Sequence, residues 1–123
     1  MKEQDFENAK KLTANVQYLG KVELLPVVNK YELLGNIAIE LLEWDDDEMF
    51  WDDFATLTIN PGMWLNENEA AIDTNNCPWG EDFIKSNGIG EPTGEVVMSG
   101  FCSYPVYRFK KEFLDLYRWE DDE

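Results

Sequence analysis

The chain has 123 residues, with 26 Asp or Glu, 10 Lys or Arg and no His, so its formal charge is −16. With 44% hydrophobic and 14% aromatic residues, it has the composition of one folded domain, residues 1–123, rather than of a disordered acidic tail. The missing histidine excludes Ser-His-Asp and Cys-His catalysis and His-ligated zinc, and the negative charge argues against direct binding of nucleic acid or an anionic membrane.

The residues at the amino terminus do not predict export. Residues 1–16 lack the apolar stretch of a signal peptide, and the longest apolar run, 24–28, is far too short to cross a membrane. We therefore expect a cytoplasmic protein in which Cys77 and Cys102 are free thiols, because disulfides are rare in that compartment.

The first predicted elements are a helix and a strand. Phe6, Ala9, Thr13 and Val16 recur at helical spacing, which predicts a short amphipathic helix that ends before residue 20. The β-branched residues and leucines that follow predict a strand over 21–28.

Alternating polar and apolar residues predict two further strands, 37–42 and 54–59. Gly35 and Asn36 mark a connection in front of the first of them. We expect the two strands to pair antiparallel, with the segment between them, 43–53, exposed as a loop at the end of a hairpin.

Turn residues at 73–76 precede a short predicted helix. Glu81 and Asp82 lie in its first turn, and Asn87 and Gly88 mark its carboxyl-terminal cap. These signals together define the start and the end of the helix.

The last quarter of the chain predicts a strand over 95–104 and a terminal helix, followed by a flexible acidic tail at 120–123. One face of that helix is marked by Phe109, Phe113, Leu116 and Tyr117. All the elements together predict an α+β fold, an antiparallel β-sheet with two or three short helices packed on one face.

Most of the charge lies in one part of the chain. Residues 31–84 contain fourteen acids and no Lys or Arg, which accounts for −14 of the total of −16. The densest part, 43–53, combines seven carboxylates with four large apolar side chains. The candidate partner-binding residues are Glu43, Trp44, Asp45, Asp46, Asp47, Glu48, Phe50, Trp51, Asp52 and Asp53.

Two interpretations of residues 43–53 stay open. A charge run is most often a solvated surface that keeps a protein soluble, and the rings of Trp44, Phe50 and Trp51 then fold back onto the core. Alternatively, the rings fill pockets on a partner while the carboxylates steer a basic surface into contact. Carboxylates at alternate strand positions lie about 6.8 Å apart on one face, which suits Lys and Arg side chains that normally hold phosphates. A protein that mimics DNA is therefore physically reasonable.

No motif in the sequence predicts catalysis or a cofactor. A calcium loop that starts at Asp73 fails, because its sixth position is Pro78 and its twelfth is Ile84 instead of the Gly and Glu that an EF-hand needs. Cys77 has no histidine to serve as its base, so a packed thiol is the better interpretation. We expect a protein that is not an enzyme and that holds no metal and no cofactor.

Four stretches of the sequence carry a family resemblance. They are Phe54-Ala-Thr-Leu-Thr-Ile-Asn60, Asp73-Thr-Asn-Asn-Cys-Pro-Trp79, Glu91-Pro-Thr-Gly94 and Ser99-Gly-Phe-Cys-Ser-Tyr-Pro-Val-Tyr-Arg-Phe109. Together they resemble an uncharacterised family of small acidic proteins carried on bacterial plasmids, conjugative transposons and phages. The resemblance brings no established activity. It implies that residues 43–53, which are longer and more acidic here than the family's connection, are a variable part on a shared scaffold.

The resemblance favours one class of function. Small, strongly acidic proteins of mobile elements are similar, as a class, to inhibitors of host nucleases such as anti-restriction and anti-CRISPR proteins. The leading hypothesis is a non-enzymatic acidic binding protein that covers the basic surface of a host nuclease or CRISPR effector by nucleic-acid mimicry. The alternative is a structural or regulatory interaction module of unknown target, in which the rings dock the partner and the charge serves solubility. Salt separates the two, because steered acidic contacts weaken with ionic strength and ring contacts do not.

Overall fold

In the computed structural model, which describes residues 1–120, the chain forms two four-stranded antiparallel β-sheets and two short α-helices. The strands are β1 (Leu12–Val16), β2 (Gly20–Lys30), β3 (Ile37–Asp45), β4 (Phe50–Thr56), β5 (Thr58–Ile59), β6 (Glu69–Ile72), β7 (Gly90–Ser99) and β8 (Cys102–Phe109). The helices are α1 (Gly80–Ser86) and α2 (Lys111–Leu116), and a 3-10 turn covers Glu3–Asp5.

The first sheet has the strand order β1-β2-β3-β4. Its long strand β2 changes partner along its length, since residues 20–24 pair with β1 and residues 25–30 pair with β3. The last β2–β3 partners in this direction are Leu25 and Leu42. Beyond them the sheet divides into a β1–β2 arm and a β3–β4 arm that do not pair with each other.

The second sheet has the order β5-β6-β8-β7. The strand predicted over 95–104 is wrong as one element, because it contains the end of β7, a tight turn and the start of β8. Gly100 occupies the turn with φ +63°, a left-handed conformation that glycine adopts without strain. The following residue, Phe101, is fully exposed at the tip.

One hydrophobic cluster joins the two sheets and the helices. Leu24 and Ile39 of the first sheet and Ile72 and Tyr107 of the second are all completely buried in it, together with Phe83 of α1. Burial of this kind contributes roughly 1.5–3 kcal/mol for each large aliphatic or aromatic side chain. The core therefore lies between the sheets, and side chains from every strand of the first sheet pack in it or against it.

The α+β class is confirmed in its coarse form, but the arrangement differs from the prediction. The strands form two sheets instead of one, because the stretch predicted as a strand over 54–59 divides at Leu57. The side chain of Leu57 enters the core, and its N–H donates to the Ile39 carbonyl oxygen at 2.9 Å. Two short helices in residues 1–120 replace the predicted layer of two or three helices on one face.

The amino-terminal helix predicted from the spacing of Phe6 to Val16 is wrong. Residues 12–16 instead form β1 against β2. Leu12 and Ala14 are buried and alternate with the exposed Thr13 and Asn15, and this period of two prevails once a strand partner is available.

The two predicted carboxyl-terminal helices are present with changed bounds. The first is α1, with Asn87 at its cap and Gly88 beyond it at φ +65°. The second, α2, starts later than the predicted face, because Phe109 belongs to β8, and Leu116 lies in the helix but is exposed. Its buried face consists of Phe113, Leu114 and, just after the helix, Tyr117.

The predicted acidic tail begins at Glu120, which contacts the amino terminus. The N–H of Glu120 donates to the Met1 carbonyl oxygen at 2.8 Å, and its carboxylate lies 3.3 Å from the Met1 ammonium nitrogen. Residues 121–123 of the predicted tail lie outside the described residues. No helix in the described part of the chain is both long enough and apolar enough to cross a membrane.

Candidate partner-binding hairpin

Residues 43–53, the acidic hairpin, consist of the ends of β3 and β4 and the turn between them. The antiparallel pairing of the flanking strands is confirmed. The prediction of a loop is wrong, because strand pairing continues as far as Asp45 opposite Phe50, and only residues 46–49 form the turn. Trp44 lies directly opposite Trp51, and such cross-strand aromatic pairs stabilise a sheet.

Asp45 shapes the turn of the acidic hairpin. Its Oδ1 accepts hydrogen bonds from the N–H groups of Asp47 (2.9 Å) and Glu48 (3.1 Å), and its carbonyl oxygen accepts one from Met49 (2.8 Å). Met49 closes the turn with φ +58°. The turn therefore holds the exposed side chains of Asp46, Asp47 and Glu48 at the outer end of the hairpin.

The strand register divides the acidic hairpin into two faces. Residues directly opposite each other share a face, and alternate residues along a strand return to it. One face carries Glu43, Asp45, Phe50 and Asp52. The other carries Leu42, Trp44, Trp51 and Asp53. Carboxylates thus dominate the first face, the acid face, and indole rings dominate the second, the ring face.

The rings differ in how far they fold back onto the core. Trp51 is half-buried and meets Phe6 edge to face, with ring centroids 6.0 Å apart. Trp44 packs on Trp51 at 5.3 Å and donates from Nε1 to Asp46 Oδ1 at 2.9 Å, yet it stays 39% exposed. Phe50 is 45% exposed. The core therefore takes Trp51, while Trp44 and Phe50 remain accessible.

No Lys or Arg within residues 1–120 forms an ion pair with a carboxylate of the acidic hairpin. The ion pairs there join Met1 to Glu120, Arg108 to Glu69 and Glu91, and Asp115 to Lys111 and Arg118. None of these pairs uses a carboxylate of the hairpin. In the same part of the chain, no three Cys, Asp or Glu side chains are grouped so that they could hold a metal ion. The hairpin therefore presents a concentrated negative potential to solvent.

A groove of about 1090 Å³, the fork groove, opens where the two arms of the first sheet separate. β2 and the turn before it line one side, the acidic hairpin lines the other, and residues of the amino-terminal segment also line the groove. The lining residues are Glu3, Gln4, Glu7, Lys11, Leu19, Lys21, Val22, Glu23, Glu43, Trp44, Asp46, Met49 and Trp51.

Sequence reasoning missed the amino-terminal half of this groove. Glu3, Glu7 and Glu23 lie outside the acidic part of the chain and belong to no motif. Glu23 lies across from the hairpin because β2 changes partner after Leu24, and the packing of Phe6 on Trp51 brings Glu3 and Glu7 near it. No local pattern marks these tertiary contacts.

The two thiols are free, as predicted. Burial, and then the negative charge of Asp73, raise the pKa of Cys77 to about 11, so it is a packed thiol and not a nucleophile. Asn75 Nδ2 donates to Cys102 Sγ at 3.0 Å and to the Tyr104 hydroxyl oxygen at 3.3 Å. These contacts join two of the stretches that carry the family resemblance.

The comparison with known families agrees with the predicted resemblance to an uncharacterised family. The family model described as Domain of unknown function (DUF4313) matches residues 25–123. The chain belongs to the DUF4313 family. Neither a curated protein nor a solved structure matches it. The DUF4313 match begins at Leu25, where β2 turns from β1 to β3 as its partner, so it contains the acidic hairpin but not the opposite wall of the fork groove.

Proposed function

We propose that this DUF4313 protein is a non-enzymatic binding protein of a bacterial mobile genetic element that inhibits a host enzyme acting on nucleic acid. It works in the cytoplasm, and its partner is a nuclease or CRISPR effector with a basic surface that normally holds phosphates. The observation that carries the proposal is the acidic hairpin, which bears seven carboxylates without forming an ion pair inside residues 1–120.

The strand geometry of the acidic hairpin supports mimicry of a phosphate backbone. Glu43 and Asp45 are alternate residues of β3, and Asp52 lies opposite Glu43 on the same face. Alternate side chains on a strand are about 6.8 Å apart, so the acid face is a short ladder of three carboxylates that Phe50 interrupts opposite Asp45. Lys and Arg side chains that hold successive phosphates gain the same kind of contact from such a ladder.

One observation favours the alternative of a ring-anchored interaction module. Met49 and Phe50 are 68% and 45% exposed at the end of the hairpin, where they could fill a pocket on a partner. Binding by these apolar groups depends little on salt, whereas binding by the carboxylates weakens as salt screens them.

The proposal is tested with a panel of purified bacterial restriction endonucleases and CRISPR effector nucleases. Immobilised wild type is compared with a neutral hairpin variant that carries D45N, D46N, D47N, E48Q, D52N and D53N. A matched control removes the same charge from exposed acids elsewhere: E32Q, E67Q, D82N, E91Q, E95Q and E112Q.

We expect wild type and the matched control to capture a nuclease at low salt and to release it at high salt, and the neutral hairpin variant to capture none. Equal capture by the neutral hairpin variant would refute the acid-face mechanism. Capture that resists salt would favour the ring-anchored alternative instead.

A further inference from the structure

The fork groove is bounded by two strand edges that do not pair with each other. Residues 20–24 of β2 pair with β1, and residues 43–45 of β3 pair with β4. The edges that these two segments turn toward each other have no strand partner within residues 1–120. Such edges accept the backbone of an extended chain, which is how many domains bind peptides.

The lining of the groove is both acidic and aromatic. Its carboxylates are Glu3, Glu7, Glu23, Glu43 and Asp46, and they outnumber Lys11 and Lys21. The ring pair of Trp44 and Trp51 also lies in the lining. Electron-rich indole faces attract cations, and surrounding carboxylates add to the attraction.

One ammonium group of the chain already occupies this kind of position. Lys11 Nζ lies 5.3 Å from the ring centroid of Trp51 and donates to the carbonyl oxygens of Phe6 and Glu7, both at 2.7 Å. The contact shows that the Trp51 ring receives a cation in this setting. The rest of the groove, toward Trp44 and the carboxylates, is large enough for further cationic side chains.

We infer that the fork groove binds an extended segment of the partner polypeptide that carries arginine or lysine side chains, an inference that rests on the proposed function and names the part of the partner it recognises. The segment runs between the two arms and places a cationic side chain on the Trp44–Trp51 pair. Its other cationic side chains meet the carboxylates of the groove.

The negative charge of the fork groove determines which kind of molecule can bind in it. A second copy of the chain brings a charge of −16 to an acidic groove, and a nucleic acid brings phosphates, so both are repelled. A basic polypeptide segment supplies both the opposite charge and the backbone that the free strand edges accept.

The test uses a synthetic peptide of alternating arginine and threonine, titrated into the full chain and followed by calorimetry and by the indole N–H signals in NMR. A groove variant, E7Q/E23Q/E43Q, removes three charges from the lining. A matched control, E32Q/E95Q/E112Q, removes three charges from exposed positions outside both the groove lining and the hairpin. Spermidine is titrated separately as a small polycation that has no peptide backbone.

We expect the groove variant to bind the peptide at least about tenfold more weakly than wild type and the control to bind it within about twofold. The indole signals of Trp44 and Trp51 should shift on binding, and those of Trp64 and Trp79 should not. Equal losses in both variants, shifts confined to other indoles, or spermidine binding as tight as that of the peptide would each overturn the inference. None of these results depends on capture of a nuclease, so the peptide titration tests the groove, and the nuclease capture tests the proposed function, independently of each other.

Discussion

The carboxylates of β6 and of the turn after it are surrounded very differently from those of the acidic hairpin. Glu69 is 3% exposed and accepts a hydrogen bond from Arg108 Nη2 at 3.1 Å. Asp73 is 8% exposed and accepts from the N–H of Asn76 at 3.3 Å and from its Nδ2 at 2.9 Å. In the hairpin, hydrogen bonds to Asp45 and Asp46 come only from the hairpin itself, within the described residues.

This difference separates carboxylates that hold the fold from carboxylates that are available to a partner. A buried carboxylate needs its hydrogen-bond donors, and their loss costs stability. Exposed like charges repel one another, so the hairpin gains little stability from them. Substitutions in the two regions should therefore have opposite consequences.

The largest effect is expected on binding by the neutral hairpin variant defined above. Its affinity for a captured nuclease should fall at least about 100-fold, because the charges that face the partner are gone. Its free energy of unfolding should stay within about 1 kcal/mol of wild type, since five of the six charges removed are exposed and D45N keeps an oxygen that can accept the hydrogen bonds of the turn. Calorimetric titration measures the affinity, and urea unfolding measures the free energy of unfolding. A variant that binds normally, or that fails to fold, would contradict the claim that the hairpin carboxylates serve binding and not stability.

Glu69→Ala should show the reverse behaviour. It removes the buried partner of Arg108 and should destabilise the protein by about 2 kcal/mol, while binding is unchanged once the protein is folded. Urea unfolding measures the loss. Glu67→Ala, at an exposed residue two positions earlier, is the control and should have almost no effect. Equal stability of the two variants would contradict the role assigned to Glu69.

The burial of the Cys77 thiol should make the stability of the protein depend on pH in the alkaline range. Burial raises the pKa of Cys77 in the folded protein to about 11. Between pH of about 9 and about 11 the thiol therefore ionises in the unfolded chain but stays protonated in the folded protein, so the free energy of unfolding falls as pH rises through this interval. Over that interval the wild type should lose about 2 kcal/mol more stability than Cys77→Ala. Urea unfolding across this pH range gives both curves. Parallel curves would mean that Cys77 is not protected by burial.

Asp73→Ala should cost about 1 kcal/mol, because it removes the acceptor of both hydrogen bonds from Asn76 at the turn before α1. Asp73→Asn keeps an acceptor oxygen and should cost less. Thermal unfolding ranks the two variants. If asparagine were as harmful as alanine, the charge of Asp73 rather than its acceptor role would matter.

The smallest effect is expected for Phe50→Ala on binding. If the acid face dominates, loss of this half-exposed ring should weaken binding to the nuclease by less than about fivefold, and the salt dependence should remain. Titrations at two salt concentrations measure both quantities. A loss as large as that of the neutral hairpin variant would assign the partner contact to the rings.

The sequence predicted those elements whose signals are local. Turn residues and caps located α1, and alternation on either side of the acidic segment predicted the antiparallel pair of β3 and β4. The candidate site was indicated by the concentration of charge in residues 43–53, which is a property of the sequence itself. These signals are short in range, so they do not depend on distant partners.

Elements that depend on tertiary partners were not predictable in the same way. The segment 12–16 has both helical and alternating spacing, and only its pairing with β2 decides for a strand. Leu57 divides one apparent strand between two sheets because its side chain enters the core. The fork groove likewise exists only because β2 exchanges partners after residue 24.

The most direct test of the central claim is competition with DNA. A captured nuclease is titrated with wild type in the presence of rising concentrations of duplex DNA under conditions that prevent cleavage, and the apparent Kd is measured. If the acidic hairpin occupies the nucleic-acid surface, the apparent Kd should rise in proportion to the DNA concentration, and the protein should inhibit cleavage. An apparent Kd that does not change with DNA would contradict mimicry, because protein and DNA would then be bound together.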